Sequence, residues 1–236
     1  MLVHADWLLT PERVAVHLPT ATAVAADLHL GYDEARRRRG EAVPLADVDD
    51  LLGALGRLLS RHQLRRLVIA GDLFEDAAGR ALVPDLLRWL AARDLELTGV
   101  VPGNHDRGLA RAAPDLPLRP EGVLLGDWRV IHGDGRLPAG RLVLGHFHPC
   151  LRWGRGLAAP CYLVGQDRIV LPAFSPDAAG VNVLGARRWR GHRCAVIAGD
   201  RVLDFGDVGR LAAARRGGRR SSLAAGGEFP GAGRGQ

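Results

Sequence analysis

Five short segments of this 236-residue chain place cation-binding side chains directly behind apolar runs. They are Asp27-Leu28-His29, Gly71-Asp72, Gly103-Asn104-His105-Asp106, His132-Gly133-Asp134 and Gly145-His146-Phe147-His148. Five of the nine histidines (His29, His105, His132, His146, His148) fall inside them, each beside Asp, Asn or another His. A single histidine at a strand end reads most simply as a core or surface residue; the joint pattern does not. Carboxylate oxygens, an amide oxygen and neutral imidazoles make a mixed shell suited to Mn, Fe, Zn or similar divalent ions. No thiolate joins them, which points away from a structural zinc site and toward a catalytic one with positions open to water and substrate. An extended Asp-x-His segment projects alternate side chains to one side, so Asp27 and His29 are expected to reach one ion, and His146 and His148 to converge similarly. Two ions about 3.5–4 Å apart could activate a water between them and clamp the oxygens of an in-line displacement at phosphorus.

These segments need strands to carry them. Arg13–His17 and Thr22–Ala26 read as two strands, the second leading into Asp27; the apolar run Leu67–Ala70 stops at Gly71-Asp72, and Leu97–Val101 ends at Pro102-Gly103. Between them, Val48, Leu51, Leu52, Leu55, Leu58 and Leu59 recur at helical spacing and predict a helix over Asp47–His62. A second helix is expected over Leu82–Ala92, with Pro84 tolerated in its first turn. This rhythm is that of parallel β-α units, whose sites assemble at the carboxyl ends of the strands. Beyond Arg107 the strands shorten and Gly126-Asp127, Gln166-Asp167 and Gly199-Asp200 mark hairpin turns, so a mixed or antiparallel sheet is expected. From Leu211 onward the chain lacks periodicity and apolar content, which divides it into a domain over 1–210 and a disordered Arg/Gly-rich tail over 211–236.

With 47% hydrophobic and 25% charged residues, the composition excludes general disorder, collagen and a disulfide scaffold. All 32 basic residues are arginine, and the net charge is +6. The tail contributes +4 of this and the body +2, so bulk charge alone does not make the chain a nucleic-acid binder. Cys150, Cys161 and Cys194 show no CxxC spacing, which suits a reducing compartment. No secretory leader or membrane span is read from the sequence, so a soluble cytoplasmic protein is expected.

In order and spacing, the five segments resemble the motif series of the calcineurin-like metallophosphoesterases, over Asp27 to His148. The resemblance implies an α/β four-layer sandwich, two mixed β-sheets flanked by α-helices. It also implies two divalent ions, Mn foremost with Fe or Zn accepted. Asp27, His29, Asp72 and His148 would hold one ion, and Asp72, Asn104, His132 and His146 the other, with Asp72 as the bridge. His105 would act as general acid for the leaving oxygen, steered by Asp106. Asp27-Leu28-His29-Leu30-Gly31-Tyr32 with its following arginines, Gly-His-Phe-His-Pro, and Leu171-Pro172-Ala173-Phe174 are most similar to a small, uncapped bacterial and archaeal branch. That branch includes a ligase-associated DNA-damage-response nuclease; the segment Ser175–Gly180 departs from its Gly-rich, aromatic-containing pattern.

The implied activity is a phosphodiesterase or endonuclease acting on DNA in repair, by attack of a metal-bridging hydroxide on phosphorus. DNA is then the substrate, other repair proteins are candidate partners, and no membrane is involved. The alternative is a phosphatase or phosphodiesterase for small phosphoesters or nucleotides, with the same metal ligands. A scaffold without chemistry would lose ligands or the acid histidine, and this chain retains them. Arg36–Arg39 could track a nucleic-acid backbone or form a solvated helix face. Arg107, Arg136, Arg152 and Arg155 follow the motifs and are candidate phosphate contacts, and Trp153 is either a base platform or a core edge.

Overall fold

The computed structural model describes residues 1–154 and 156–224. The first sheet runs in the order β1 (Leu2–Val3), β2 (Trp7–Leu9), β3 (Ala15–His17), β4 (Thr22–Ala25), β5 (Arg66–Ala70) and β6 (Glu96–Val101). β1 to β4 form an antiparallel meander, whereas β4, β5 and β6 are parallel. Parallel neighbours need crossovers. Helices α1 (Tyr32–Arg38) and α2 (Val48–Arg61) connect β4 to β5, and α3 (Val83–Ala91) connects β5 to β6. α2 begins where Asp47 accepts a hydrogen bond from Asp50 N at 2.8 Å, and buries Leu52, Leu55, Leu58 and Leu59.

β4 and β5 are apolar at every inner position because both faces are covered. Ala23, Ala25, Leu67 and Ile69 pack with α2 and α3, while Val24, Val68 and Ala70 pack against the second sheet. That sheet contains β7 (Val123–Leu125), β8 (Trp128–Ile131), β9 (Arg141–Leu144), β10 (Pro149–Trp153), β11 (Leu157–Val164), β12 (Arg168–Val170), β13 (Val181–Asn182), β14 (Arg193–Ala198) and β15 (Arg201–Asp207), preceded in the chain by a short α4 (Leu109–Ala112). It is mixed, with β8, β9 and β12 parallel and the three expected hairpins antiparallel. Its outer face packs under the turns Val183–Gly185 and Arg187–Trp189 and under α5 (Val208–Ala224). The molecule is thus an α/β sandwich of two mixed sheets flanked by helices, with Trp7, Trp128 and Tyr162 fully buried between the sheets.

The structure differs from the sequence reading in several places, and β1, β2, α1 and β13 are elements it did not expect. β10 had no signal, because it starts at Pro149 and continues directly from a candidate ligand. The expected tail is helical through Ala224: Asp207 Oδ1 accepts from Arg210 N at 2.9 Å, and Val208 and Ala212 are buried, with Leu211 packed beside them. An N-cap and three apolar contacts start this helix, although the composition that follows is poor in apolar residues. Residues 225–236 of the expected tail lie outside the described residues. Among the described residues, no helix is long and apolar enough to cross a membrane.

Candidate metal centre

The five loops leave β4, β5, β6, β8 and β9 and are stitched to one another. Asp27 N donates to Gly71 O (3.0 Å), His29 N to Asp72 O (2.9 Å), and Phe174 N to Ala26 O (2.7 Å). Asp27 itself is fully buried, and its carboxylate accepts from His146 N at 2.9 and 3.1 Å, tying the first loop to the last. Asp72 Oδ1 accepts from His105 N at 2.9 Å, tying the second to the third.

Five of the expected ligands lie in the left-handed region: Asp27 (φ 56°), His29 (49°), Asp72 (44°), His146 (64°) and His148 (40°). The extended Asp-x-His geometry expected from the sequence is therefore replaced by turned backbone at both histidine pairs. Each such residue costs on the order of 1–3 kcal/mol, which the loop-to-loop hydrogen bonds hold in place. Gly71 and Gly103 are required by packing. A Cβ at Gly71 would lie 2.7 Å from His132 Cβ, and one at Gly103 would lie 2.5 Å from Asp72 N.

The side chains gather into three overlapping clusters whose donor atoms lie within 4.8 Å of one another: Asp27, His29 and His148; Asp72, His132 and His146; and His29, Asp72 and His105. Asn104 joins the second, its Oδ1 lying 3.3 Å from His132 Nε2, which is also 3.4 Å from Asp72 Oδ2. His132 Nδ1 donates to Ala70 O at 3.2 Å, so Nε2 presents a lone pair to two further acceptor oxygens. Lone pairs facing one another at this spacing leave room for a cation among them. His29 and His148 give the same indication. Neither ring nitrogen of His29 and not Nε2 of His148 has a hydrogen-bond partner, although Glu75 Oε2 lies 3.0 Å from His29 Nδ1 and Asp27 Oδ2 lies 3.5 Å from His148 Nε2. The first contact is out of line for a hydrogen bond and the second is too long. Buried imidazole nitrogens that face carboxylate oxygens without a hydrogen bond among the described residues fit a divalent ion of oxygen and nitrogen preference.

Burial pushes the pKa of His29 and His146 below the ordinary histidine value, keeping both neutral as ligands should be. Burial acts the same way on His148, but the neighbouring Asp27, the Ala179 backbone and Asp72 together raise that ring.

His105 stands at the rim. Its Nδ1 donates to Glu75 O at 2.6 Å, and its ring meets that of His29 edge-on at 5.1 Å. Asp106 does not touch it. The Asp106 carboxylate is buried and accepts three backbone N–H groups, from Gly103 (2.9 Å), Leu73 (3.2 Å) and Phe74 (3.3 Å). The steering of His105 by Asp106, expected from the sequence, gives way to a role in joining the second and third loops. Burial raises the Asp106 pKa against those three hydrogen bonds.

Glu75 was missed by sequence reasoning. It is nearly buried, reaches His29, and lies 3.9 Å from both His105 Nδ1 and Arg39. The one available signal was its place three residues after the Gly-Asp motif. Among the expected substrate contacts, Arg107 and Arg136 are exposed, and Arg136 lines a cavity of about 290 Å³ with His132 and Asp134. Arg152 is instead tied to Gly180 O at 3.1 Å. Trp153 ends β10 opposite Leu157, half-buried, and Arg155 lies outside the described residues.

This arrangement of layers and loops defines the class of fold. No known protein family matches the chain by its sequence profile, and no curated protein matches it in sequence. Among solved structures, the chain is similar to a nuclease MPE from Pseudomonas putida, at 21% identity and a TM-score of 0.68, covering 87% of this chain and 98% of that one. The likeness establishes the shared fold.

Proposed function

We propose that the chain is a dinuclear metal-dependent phosphoesterase of the calcineurin-like type, cleaving phosphodiesters in DNA. One observation carries this reading: loops from both sheets bring Asp27, His29, Asp72, Asn104, His132, His146 and His148 together, with both ring nitrogens of His29 and Nε2 of His148 buried there without a hydrogen-bond partner among the described residues. The fold shared with a nuclease supports the substrate class. Asp27, His29, Asp72 and His148 would hold one ion, and Asp72, Asn104, His132 and His146 the other. Two divalent ions, Mn suiting this donor set, would supply an activated water and neutralise charge on the phosphate oxygens.

The remaining chemistry belongs to the chain's own residues. His105 keeps Nδ1–H on Glu75 O, so the proton that moves to the leaving oxygen is the one on Nε2. Asp106 fixes the loop that carries His105 and Asn104. Glu75 sets a carboxylate beside His29, 3.0 Å from its Nδ1. The same reading places the chain in the small uncapped branch, in a cytoplasmic repair setting.

The test compares circular single- and double-stranded DNA with a chromogenic diester and a monoester, all with Mn. Linearised or fragmented circles with turnover of the diester support an endonuclease. Turnover of the monoester alone would overturn the phosphodiesterase reading.

A further inference from the structure

The sequence points to Arg36–Arg39 as a backbone track, yet the structure neutralises most of that cluster. Arg36 pairs with Glu41 (2.6 Å), Arg38 with Asp76 and Glu34, and Arg39 lies 3.9 Å from Glu75. The balance of charge along the chain agrees. Residues 1–186 carry 21 arginines against 22 acids, whereas residues 187–216 carry eight against three. The basic excess of this protein therefore lies entirely beyond residue 186.

That excess begins beside the metal centre. Phe147 sits between the candidate ligands His146 and His148, with ring centroids of His146 and Phe147 5.2 Å apart. Trp189 meets Phe147 edge-on at 5.1 Å, and the Arg188 guanidinium lies over both rings, 4.8 Å from the first and 4.9 Å from the second. Arg187, Arg188 and Arg190 are exposed, and among the described residues none of them has a carboxylate within ion-pair distance, nor has Arg210. The two acids of β15 are engaged elsewhere: Asp204 pairs with Arg193, and both oxygens of Asp207 accept backbone N–H groups, from Gly191 and Arg210. Arg190 packs along the start of α5, which carries Arg210, Arg215 and Arg216 away from the turn.

We propose that this surface, from Arg188 on Phe147 through Arg187 and Arg190 to the first turns of α5, binds the phosphate backbone of DNA leading into the metal centre. The proposal rests on the phosphodiesterase reading above. Unpaired guanidiniums that begin beside a candidate ligand and continue onto α5 fit a polyanion better than a small phosphoester. Aromatic support under Arg188 holds its guanidinium in place without a carboxylate to cancel its charge.

The test uses the full Mn-loaded chain and a labelled duplex of about 30 base pairs, with binding read by stopped-flow anisotropy ahead of turnover across a salt series. Arg188 is left in place because it packs on Phe147. The variant Arg187→Gln/Arg190→Gln should lower the slope of log affinity against log salt by about 0.9 per arginine engaged, weakening binding at 0.1 M salt by roughly tenfold or more. Turnover of the small chromogenic diester should stay within about twofold. Arg187→Lys/Arg190→Lys keeps the charge and should keep the slope, which separates lost charge from lost structure. Unchanged DNA affinity and slope in the Gln pair would overturn the track, as would binding to anionic phospholipid vesicles without binding to DNA. A wild-type chain that binds DNA with this slope but hydrolyses neither substrate supports the track and overturns the phosphodiesterase reading instead.

Discussion

Asp106 offers the sharpest test of how the centre is built, because its effect on stability follows from three hydrogen bonds in the structure. Its buried carboxylate accepts Gly103 N, Leu73 N and Phe74 N, and so clamps the loop after β5 to the loop after β6. Asp106→Ala removes all three acceptors at once. A buried donor left unsatisfied costs about 1–3 kcal/mol, and water entering the space left by the side chain recovers part of it, so the expected loss is roughly 3–6 kcal/mol. That is a large share of the 5–15 kcal/mol that stabilises an ordinary domain. Asp106→Asn keeps one oxygen that can serve two of the donors but turns an N–H₂ toward the third, and should cost roughly 2–3 kcal/mol. Urea unfolding at fixed pH measures both, and the Ala variant should melt at least about 6 °C lower. If Asp106→Ala unfolds within about 1 kcal/mol of the parent while turnover collapses, the clamp is wrong and a direct catalytic role for Asp106 is restored.

His105→Ala should retain both metals by elemental analysis yet lose about 10²- to 10⁴-fold in turnover, most for diesters with high-pKa leaving groups; full activity on such a diester would remove His105 as the acid. Gly103→Ala drives a Cβ into Asp72, whose carboxylate belongs to two of the clusters, so metal content should fall at both sites rather than one. Burial lowers the pKa of His17, against the pull of Asp6 and Asp127, so the unfolded chain binds the proton first as pH falls below about 6.5 and stability drops from there down through the lowered folded value. His17→Gln should therefore flatten the fall in Tm between neutral and mildly acid pH; an unchanged slope would show that other groups set it. Deleting the chain from Leu211 removes the packing of Leu211 and Ala212 on the outer face of the second sheet and should cost about 1–2 kcal/mol, read by thermal melting.

Much of the centre was legible because its information is local. A ligand set is spelled by residue type, and each segment follows an apolar run whose length already marks a strand, so the five loops and the helix Val48–Arg61 could be read directly. The roles that were misread or missed depend on partners far away in the chain. Asp106 meets Leu73 and Phe74 more than thirty residues upstream, and Glu75, which belongs to no motif itself, meets His29 and His105 from far along the chain. The four arginines after the first motif illustrate the same limit, since adjacency in sequence marks a basic cluster but only folding brings Glu75 and Asp76 against it.

By itself the sequence determined the chemistry on offer: oxygen and nitrogen donors without thiolates, one histidine to spare for proton transfer, and strands to carry them. The tertiary structure decided the rest. It set which donors share a cluster, turned five of them into left-handed backbone, assigned Asp106 to the scaffold, and moved the unpaired positive charge from Arg36–Arg39 to the far side of Phe147. The physical reason is that donor identity is a property of single residues, whereas coordination, strain and charge pairing are properties of distances that exist only once the two sheets have packed.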